Sequence, residues 1–334
     1  MADIGLIDVD SHNFPNLALM KISAYHKAKG DNVEWCFPFK HYDIVYQSKV
    51  FDETYTEDIN YFILADKVVK GGTGYFKRDK NGIGYVYVKG VWINIGSANS
   101  YTDGNETYNE FLPNEIEHIY PDYSLYSGII QDIENTSYGF LTRGCPKACE
   151  FCIVAGKEGR RSYKVADLSE FQDSQRFIKL LDPNLLACRQ HLDLLQQLVD
   201  SKAYVDFTQG LDIRLTNDAN IELINQVKLK EIHFAWDNAK DDLKSYFENY
   251  RAKAKHKPHG HYGTVYCLVN FGSTMGENLY RIYTLRDMEF NPYVMIYDKP
   301  NAPKEIRNLQ RWCNNKFIFR SCDDFKDYNK AVKS

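Results

Sequence analysis

The sequence has no apolar run that approaches the length of about 20 residues that a membrane-spanning helix requires. Its first residues, MADIGLIDVDSHN, lack the basic and then apolar plan of a secretory signal peptide. It has no low-complexity segment and no large excess of charge of one sign, because the formal net charge is -4. These absences argue against a membrane span, against secretion and against broad electrostatic capture of nucleic acid. We therefore expect a cytoplasmic protein.

The composition is that of a globular protein with a sizeable core. The chain has 334 residues, of which 44% are hydrophobic and 26% are charged. This length suits one large domain or two ordinary ones. The eight cysteines include a tight group, and in a reducing compartment a cysteine group indicates a metal site or catalysis before a disulfide.

A regular alternation of strands and helices begins near residue 137. The predicted strands, which recur about every 30 residues, are residues 137–144, 177–182, 203–210, 231–237, 264–271 and 293–298. The predicted helices between them are residues 185–202, 217–230 and 275–288, with Asn217 as a cap. This spacing predicts βα units and a parallel sheet. Because six units cannot close an eight-stranded barrel, we expect a partial barrel over residues 137–334.

The first 75 residues form a separate predicted α/β unit. Residues 4–10 are predicted to be a strand and residues 16–30 a helix that ends at Gly30. Three further predicted strands are residues 32–37, 43–51 and 65–72. Residues 76–136 are interpreted as an insertion and linker, in which the alternation around Lys89-Gly90 predicts a β-hairpin over residues 75–96 and a loop-rich segment follows.

Polar residues follow the predicted strands. Because the carboxyl ends of parallel strands meet at one edge of a sheet, these side chains are expected at the mouth where such folds hold their chemistry. They are Arg143, Asp182, Gln209, Asp237, Asn270 and Asp298.

Three cysteines lie in one predicted loop. Cys145, Cys149 and Cys152 have the spacing C-x3-C-x2-C, and Gly144 before them frees the backbone to turn. Thiolates suit zinc or iron–sulfur clusters. Structural zinc requires four ligands, whereas a four-iron cubane held by three cysteines leaves one iron open for another ligand. A zinc-stabilised binding module without redox chemistry is the alternative from another functional class.

The stretch GCPKACEFC resembles the signature loop of the radical S-adenosylmethionine (SAM) superfamily, C-x3-C-x-φ-C, with Phe151 as the aromatic residue. The resemblance implies a (βα)6 partial barrel and a [4Fe-4S] cluster whose open iron binds SAM. Reductive cleavage of SAM would then yield a 5'-deoxyadenosyl radical. The resemblance also implies a one-electron donor, such as a flavodoxin or ferredoxin. The substrate, a small molecule or a macromolecule, is not indicated.

The same resemblance suggests residues that contact SAM. Asp182 and Asn184 follow the second strand of the barrel, where the family's Gly-Gly-Glu is replaced by Asp-Pro-Asn. Gln209 and Asp237 end later strands, which in the family hold the carboxylate and ribose of SAM. Arg214 is expected to bind the methionine carboxylate, because a guanidinium pairs with a carboxylate bidentately.

The amino-terminal unit resembles the cobalamin-binding type of Rossmann domain. Asp10 and His12 align with an Asp-x-His-x-x-Gly cobalt-ligating motif, but Pro15 stands where the glycine should be. Since proline removes both backbone freedom and an amide donor, we expect the fold without cobalamin. A cobalamin-dependent radical methyl transfer is the alternative reaction. Cys36 is the single cysteine of this unit, so we expect no auxiliary cluster there.

The remaining sequence features suggest no further chemistry. Buried positions are expected for five cysteines, namely Cys36, Cys188, Cys267, Cys313 and Cys322. Basic residues cluster at 160–164 and 251–261. Such clusters are usually solvated faces, so a nucleic-acid substrate is not favoured.

Overall fold

The computed structural model of the chain describes residues 1–59, 63–79, 81–258 and 262–332. It has a mixed α/β architecture with parallel sheets, as the sequence predicts. The chain divides into two compact units, each described separately below. The first consists of Met1–Gly139 and Arg143–Arg176, and the second of Phe140–Thr142 and Phe177–Ser334.

The strands as far as residue 164 are β1 (Asp3–Asp8), β2 (Asn32–Trp35), β3 (His41–Ser48), β4 (Leu64–Gly71), β5 (Phe76–Arg78), β6 (Gly84–Val88), β7 (Val91–Gly96), β8 (Ser100–Asp103), β9 (Glu106–Asn109), β10 (Thr136–Gly139), β11 (Thr142–Arg143) and β12 (Tyr163–Lys164). The α-helices over the same part of the chain are α1 (Leu17–Ala28), α2 (Asn114–Glu117) and α3 (Val154–Lys157).

The main sheet of the first unit has the strand order β2-β1-β3-β4-β9-β8. Neighbouring strands from β2 to β9 are parallel, and β8 is antiparallel to β9. Asn16 caps α1, because its side chain accepts a hydrogen bond from the amide of Leu19. The helix and the sheet share a core that includes Ile4, Leu6 and Met20.

Strands β8 and β9 lie in the segment that was predicted to be rich in loops. That expectation was wrong for residues 100–109, because β9 pairs in parallel with β4 through register partners such as Val69 and Thr107. The predicted hairpin is confirmed, since β6 and β7 are antiparallel around Lys89 and Gly90. Both turn residues have positive φ, 46° and 92°, as a type I′ turn requires.

The second unit continues the alternation of strands and helices. Its strands are β13 (Phe177–Leu180), β14 (Tyr204–Leu211), β15 (Lys228–Ala235), β16 (Thr264–Val269) and β17 (Asn291–Ile296). Its helices are α4 (His191–Ser201), α5 (Asp218–Gln226), α6 (Lys244–Lys253), α7 (Met275–Asp287), α8 (Lys304–Asn314), α9 (Lys316–Ser321) and α10 (Phe325–Ala331).

Strands β13 to β17 are neighbours in chain order and are parallel throughout. The predicted cap is present, because Asn217 caps α5. Thr274, which was not predicted as a cap, forms a capping box with Glu277 at the start of α7. Buried apolar side chains from β16, β17, α7 and α8, such as Val269, Val294 and Trp312, form one core of this unit.

Three predicted boundaries were wrong. The strand predicted over residues 137–144 is two short strands, because the amide of Leu141 donates to the side chain of Asp182 instead of to a strand. The helix predicted from residue 185 begins at His191, after a single 3-10 turn and an extended Cys188. The helix predicted to residue 230 ends at Gln226, and β15 begins two residues later.

Among the described residues, no helix is both long and apolar enough to cross a membrane.

Candidate functional site

The predicted cysteine ligands lie in one loop of the first unit. Cys149 and Cys152 are exposed and Cys145 is half-buried. The amide of Cys152 donates to the carbonyl of Cys149 at 3.0 Å, so the last two cysteines belong to one tight turn. Phe151, the predicted aromatic position, is half-buried within that turn. Three thiols in a single loop match in number the ligands of a cluster that has three cysteine ligands.

Backbone contacts close the base of this loop. The amide of Cys145 donates to the carbonyl of Gly159 at 3.1 Å. One carboxylate oxygen of Glu158 accepts from the amide of Gly144 at 3.0 Å, and the other accepts from Arg143 at 2.9 Å. These contacts hold the two ends of the loop together and leave the cysteine-bearing turn at its tip.

Gly144 is required by the backbone at this point. Its φ is +78°, and a Cβ atom there would lie 2.1 Å from the carbonyl oxygen of Arg161. A side chain at this position would therefore clash with backbone, which explains the glycine immediately before the first cysteine.

A half-buried cation lies shortly after the cysteines, at Lys157 in α3. Burial, helped by the charge of Arg143, lowers the pKa of Lys157 to about 8. The carboxylates of Glu158 and Glu110 act in the opposite direction. The environment beside the cysteine loop is therefore poorly solvated.

Asp182 is a buried anchor in the second unit. Its carboxylate accepts from the amide of Leu141 at 3.2 Å and from the amide and hydroxyl of Thr142 at 2.6 and 2.7 Å. A carboxylate offers about four acceptor positions, so this structural role takes most of its capacity. Asp182 therefore fastens the segment that runs into Arg143 and the cysteine loop.

Arg214, the predicted partner of the SAM carboxylate, contacts protein carboxylates. Its Nε and Nη2 atoms donate to the two oxygens of Asp212 at 2.7 and 3.1 Å, and Nη1 donates to Asp241 at 2.9 Å. The bidentate geometry expected of this guanidinium is thus present, but with Asp212.

Asp237 follows the carboxyl end of β15. Burial raises the pKa of its carboxyl group to about 6. The amide of Leu268, which donates to it at 3.1 Å, and the charges of Arg281 and Arg214 act in the opposite direction. Arg281 is 1% exposed and binds the carbonyls of Trp236, Asp237 and Leu268, which ties together the ends of β15 and β16.

Gln209 and Asn184 differ in accessibility. Gln209 is exposed within a bulge of β14, where residues 208–210 lie opposite the single residue His233 of β15. Asn184 is buried at the start of the 3-10 turn before α4. Of the predicted SAM contacts, Gln209 is therefore the most accessible side chain.

The proposed cobalt-ligating motif has a different arrangement from the one it resembles. Asp10 is 2% exposed, and its two carboxylate oxygens accept from the amides of Val50 and Phe51, both at 2.8 Å. His12 is exposed, with a φ of 48°. Because Asp10 is engaged by backbone, the histidine–carboxylate pair that a cobalt ligand would need is not formed by these two residues.

The other cysteines are partly as predicted. Cys188, Cys267 and Cys313 are buried, whereas Cys36 and Cys322 are only half-buried, which corrects the expectation for these two. All eight cysteines lie in the described part of the chain, and none is in a disulfide.

Sequence reasoning missed one polar cluster on the sheet of the second unit. Asp206, Glu231 and His233 bring two carboxylate oxygens and a ring nitrogen within 4.8 Å of one another. Burial, followed by the charge of Glu231, raises the pKa of Asp206. The available signal was polar residues within otherwise apolar strands, but their proximity depends on strand register, which the sequence does not display.

The sequence matches no protein-family model and no curated protein. The resemblance to the radical SAM superfamily therefore depends on residues 144–152 and on the alternation of strands and helices that follows.

Proposed function

We propose that this chain is a radical SAM enzyme in which Cys145, Cys149 and Cys152 hold a [4Fe-4S] cluster. The observation that carries the proposal is the three-thiol loop, which is accessible at its tip and closed by backbone hydrogen bonds at its base. When bound, the cluster would supply the electron for reductive cleavage of SAM.

The fold is consistent with this proposal in each unit. We propose that the parallel strands β13 to β17, which are neighbours in chain order, belong to a partial barrel. We also propose that the first unit is Rossmann-like, because its central strand order β2-β1-β3-β4 is that of a doubly wound parallel sheet.

The residues around the loop have positioning roles in this proposal. Gly144 allows the sharp turn before the first ligand, and Glu158 holds the amide of that glycine.

SAM contacts are proposed for the polar groups that end the strands of the second unit. Gln209 and Asp237 are preferred, because the first residue is exposed and the second is only half-buried. Asn184 remains a candidate. Asp182 and Arg214 are assigned positioning roles instead, because other groups of the chain already bind them.

Reconstitution with iron and sulfide under anaerobic conditions tests the proposed cluster. We expect a brown protein with about four irons and about four sulfides per chain, as one cubane requires. Reduction in the presence of SAM should then release 5'-deoxyadenosine, measured by chromatography and mass spectrometry.

The matched variants are Cys149→Ala and Cys322→Ser. Cys149→Ala should lose the cluster and the product, whereas Cys322→Ser, at a half-buried thiol outside the loop, should keep both. A colourless protein that binds one zinc through the three cysteines would refute the enzyme and support the zinc-stabilised binding module.

Hydroxocobalamin provides a separate test of the first unit. We propose that this unit binds no corrin, because the carboxylate of Asp10 is held by the amides of Val50 and Phe51. Gel filtration after incubation should therefore separate protein from corrin. Stoichiometric retention that His12→Ala abolishes would favour the cobalamin-dependent methyl transfer instead.

A further inference from the structure

We propose that Asp206, Glu231 and His233 form a binding site for one divalent transition-metal ion, such as Zn²⁺, on the sheet of the second unit. The site uses none of the three cysteines and none of the side chains proposed to contact SAM, although His233 lies opposite the bulge that carries Gln209. Its three ligand atoms come from adjacent parallel strands, β14 and β15, and lie within 4.8 Å of one another.

Strand register brings the three side chains together. Asp206 of β14 is the register partner of Glu231 of β15. His233 lies two residues after Glu231, so it projects from the same face of the strand. Rigid neighbouring strands therefore present the ligands without any loop rearrangement.

The hydrogen bonding of His233 favours a cation. Its Nδ1 atom lies 3.2 Å from the carbonyl oxygen of Phe207, and because a carbonyl only accepts, Nδ1 carries the hydrogen. The lone pair of the neutral ring is then on Nε2, which lies 3.5 Å from a carboxylate oxygen of Glu231. A lone pair and a carboxylate repel each other unless a metal ion or a proton lies between them, and the zinc measurements below distinguish these two cases.

The distance of 3.5 Å between Nε2 of His233 and the carboxylate oxygen of Glu231 also matches the spacing of two ligands on one metal ion. Two ligands that each lie about 2.1 Å from a tetrahedral ion are about 3.4 Å apart. The hydrogen bond from Nδ1 to a backbone carbonyl is, in addition, the outer contact that commonly orients a metal-binding histidine.

A buried oxygen supplies the second, independent observation. Asp206 is 5% exposed, and its Oδ1 atom accepts no hydrogen bond of normal geometry in the described part of the chain, although the hydroxyl of Thr208 acts on this carboxylate. The same atom lies 3.7 Å from Nδ1 of His233, on the side of the ring that carries the hydrogen and beyond hydrogen-bond distance. A carboxylate oxygen of Asp206 lies within 4.8 Å of the other two ligand atoms. Buried carboxylate oxygens are normally satisfied by donors or by metal ions.

The local charge leaves room for a divalent ion. Lys179 of β13 is the register partner of Asp206, and its charge acts on that carboxylate. Two carboxylates, one ammonium and a neutral imidazole together carry a charge of about -1. The imidazole ligand favours a transition metal over Mg²⁺ or Ca²⁺, which prefer oxygen ligands alone.

The ring of Tyr266 stacks on that of His233, with the two ring centroids 5.3 Å apart, and so covers one side of the imidazole.

Zinc analysis of the full-length, iron-free protein tests the site. Because the cysteine loop can itself bind zinc, the measurement is made in the Cys149→Ala background. After dialysis against Zn²⁺, we expect Cys149→Ala to hold one zinc that the double variant Cys149→Ala/His233→Gln loses. His233→Gln should lower the affinity by more than the about 10- to 100-fold that loss of an outer contact causes. The matched control is His118→Gln, at an exposed histidine paired with Glu170.

Asp206→Asn provides a second measurement, which remains valid even if the His233→Gln variant does not fold. In the absence of metal this variant should be as stable as the wild type or more stable, because it removes a buried carboxylate with an unsatisfied oxygen. Zn²⁺ should raise the melting temperature of Cys149→Ala but not that of Cys149→Ala/Asp206→Asn. A purely structural ion pair would show no such zinc dependence.

Cobalt spectroscopy distinguishes this site from the cysteine loop. Co²⁺ held by Asp206, Glu231 and His233 should give visible d–d absorption without a thiolate-to-metal charge-transfer band. Absence of bound zinc in Cys149→Ala, or zinc that both His233→Gln and Asp206→Asn retain in that background, would overturn the proposal. Loss of iron from Cys149→Ala concerns the cluster alone, so failure of either proposal can be recognised separately.

Discussion

Asp182 holds Thr142 through one carboxylate oxygen, which accepts from both the backbone amide at 2.6 Å and the hydroxyl at 2.7 Å. The other oxygen accepts from the amide of Leu141 at 3.2 Å. A residue that sequence reasoning assigned to SAM thus fastens the backbone three residues before the first cysteine of the metal-binding motif.

Asp182→Asn should destabilise the protein by about 1–3 kcal/mol, because the new amide NH2 group faces a backbone donor in place of an acceptor. The midpoint of urea unfolding would measure this loss. Asp200→Asn, at an exposed position on α4, is the control and should change the free energy of unfolding by less than about 0.5 kcal/mol. If Asp182→Asn kept full stability but lost SAM affinity, direct cofactor binding would be the better assignment.

Gly144→Ala should reduce stability by roughly 2–4 kcal/mol and lower the iron content of the reconstituted protein. The reason is the positive φ of +78° together with the 2.1 Å approach of a Cβ atom to the carbonyl oxygen of Arg161. Thermal unfolding and iron analysis would measure the two effects.

The control for this variant is Gly156→Ala. Gly156 lies in α3. A Cβ atom at this position would lie 3.5 Å from its nearest neighbour, the carbonyl oxygen of Arg78. This substitution should be neutral or stabilising by up to about 1 kcal/mol. Equal stability of the two variants would contradict the role assigned to Gly144.

Arg281→Met should lower the free energy of unfolding by about 3–5 kcal/mol, because it leaves the carbonyls of Trp236 and Leu268 without their buried donor. Chemical denaturation followed by tryptophan fluorescence would measure the change. Arg307→Met, at an exposed position on α8, should change stability by less than about 0.5 kcal/mol. A small effect at Arg281 would mean that water replaces its contacts.

Asp237 should make stability depend on pH between about 4 and 6. Its pKa is raised from 3.8 to about 6 in the folded state, so the native protein binds more protons than the unfolded chain in this window. Stability contributed by this group is therefore present at low pH, falls as the pH rises through the window and is constant above it. The fall is at most about 3 kcal/mol, and less to the extent that water reaches the carboxylate.

Melting temperatures of wild type and Asp237→Asn, measured from pH 4 to pH 7, would test this dependence. The variant should be the more stable of the two at pH 7 and similar to the wild type at pH 4, because its amide has no charge to bury. Asn should still accept the hydrogen bond from Leu268. Parallel pH profiles for the two proteins would show that Asp237 ionises as freely in the folded state as in the unfolded chain.

Local signals predicted local structure well. Asn217 caps the start of α5, as the sequence predicts. Lys89-Gly90 forms the predicted hairpin turn. These predictions succeed because a cap or a tight turn depends on residues within three or four positions of one another.

Predictions that depended on distant partners were less accurate. The strand break at Leu141 depends on a carboxylate 41 residues later in the chain, and the pairing of β9 with β4 joins segments that the sequence does not relate. Arg214 was predicted to pair bidentately with the carboxylate of SAM, and in the structure it pairs bidentately with a protein carboxylate. Its partner is Asp212, and that choice depends on the turn between β14 and α5.

The sequence by itself determined the spacing of the three cysteines, the glycine before them and the alternation of strands and helices, because each depends on neighbouring residues. Only the tertiary structure decided that Asp182 anchors Thr142, and that Asp206 and Glu231 lie side by side with His233. The physical reason is strand register: a shift by one residue would turn each side chain to the opposite face of the sheet, and register is set by packing across the whole unit.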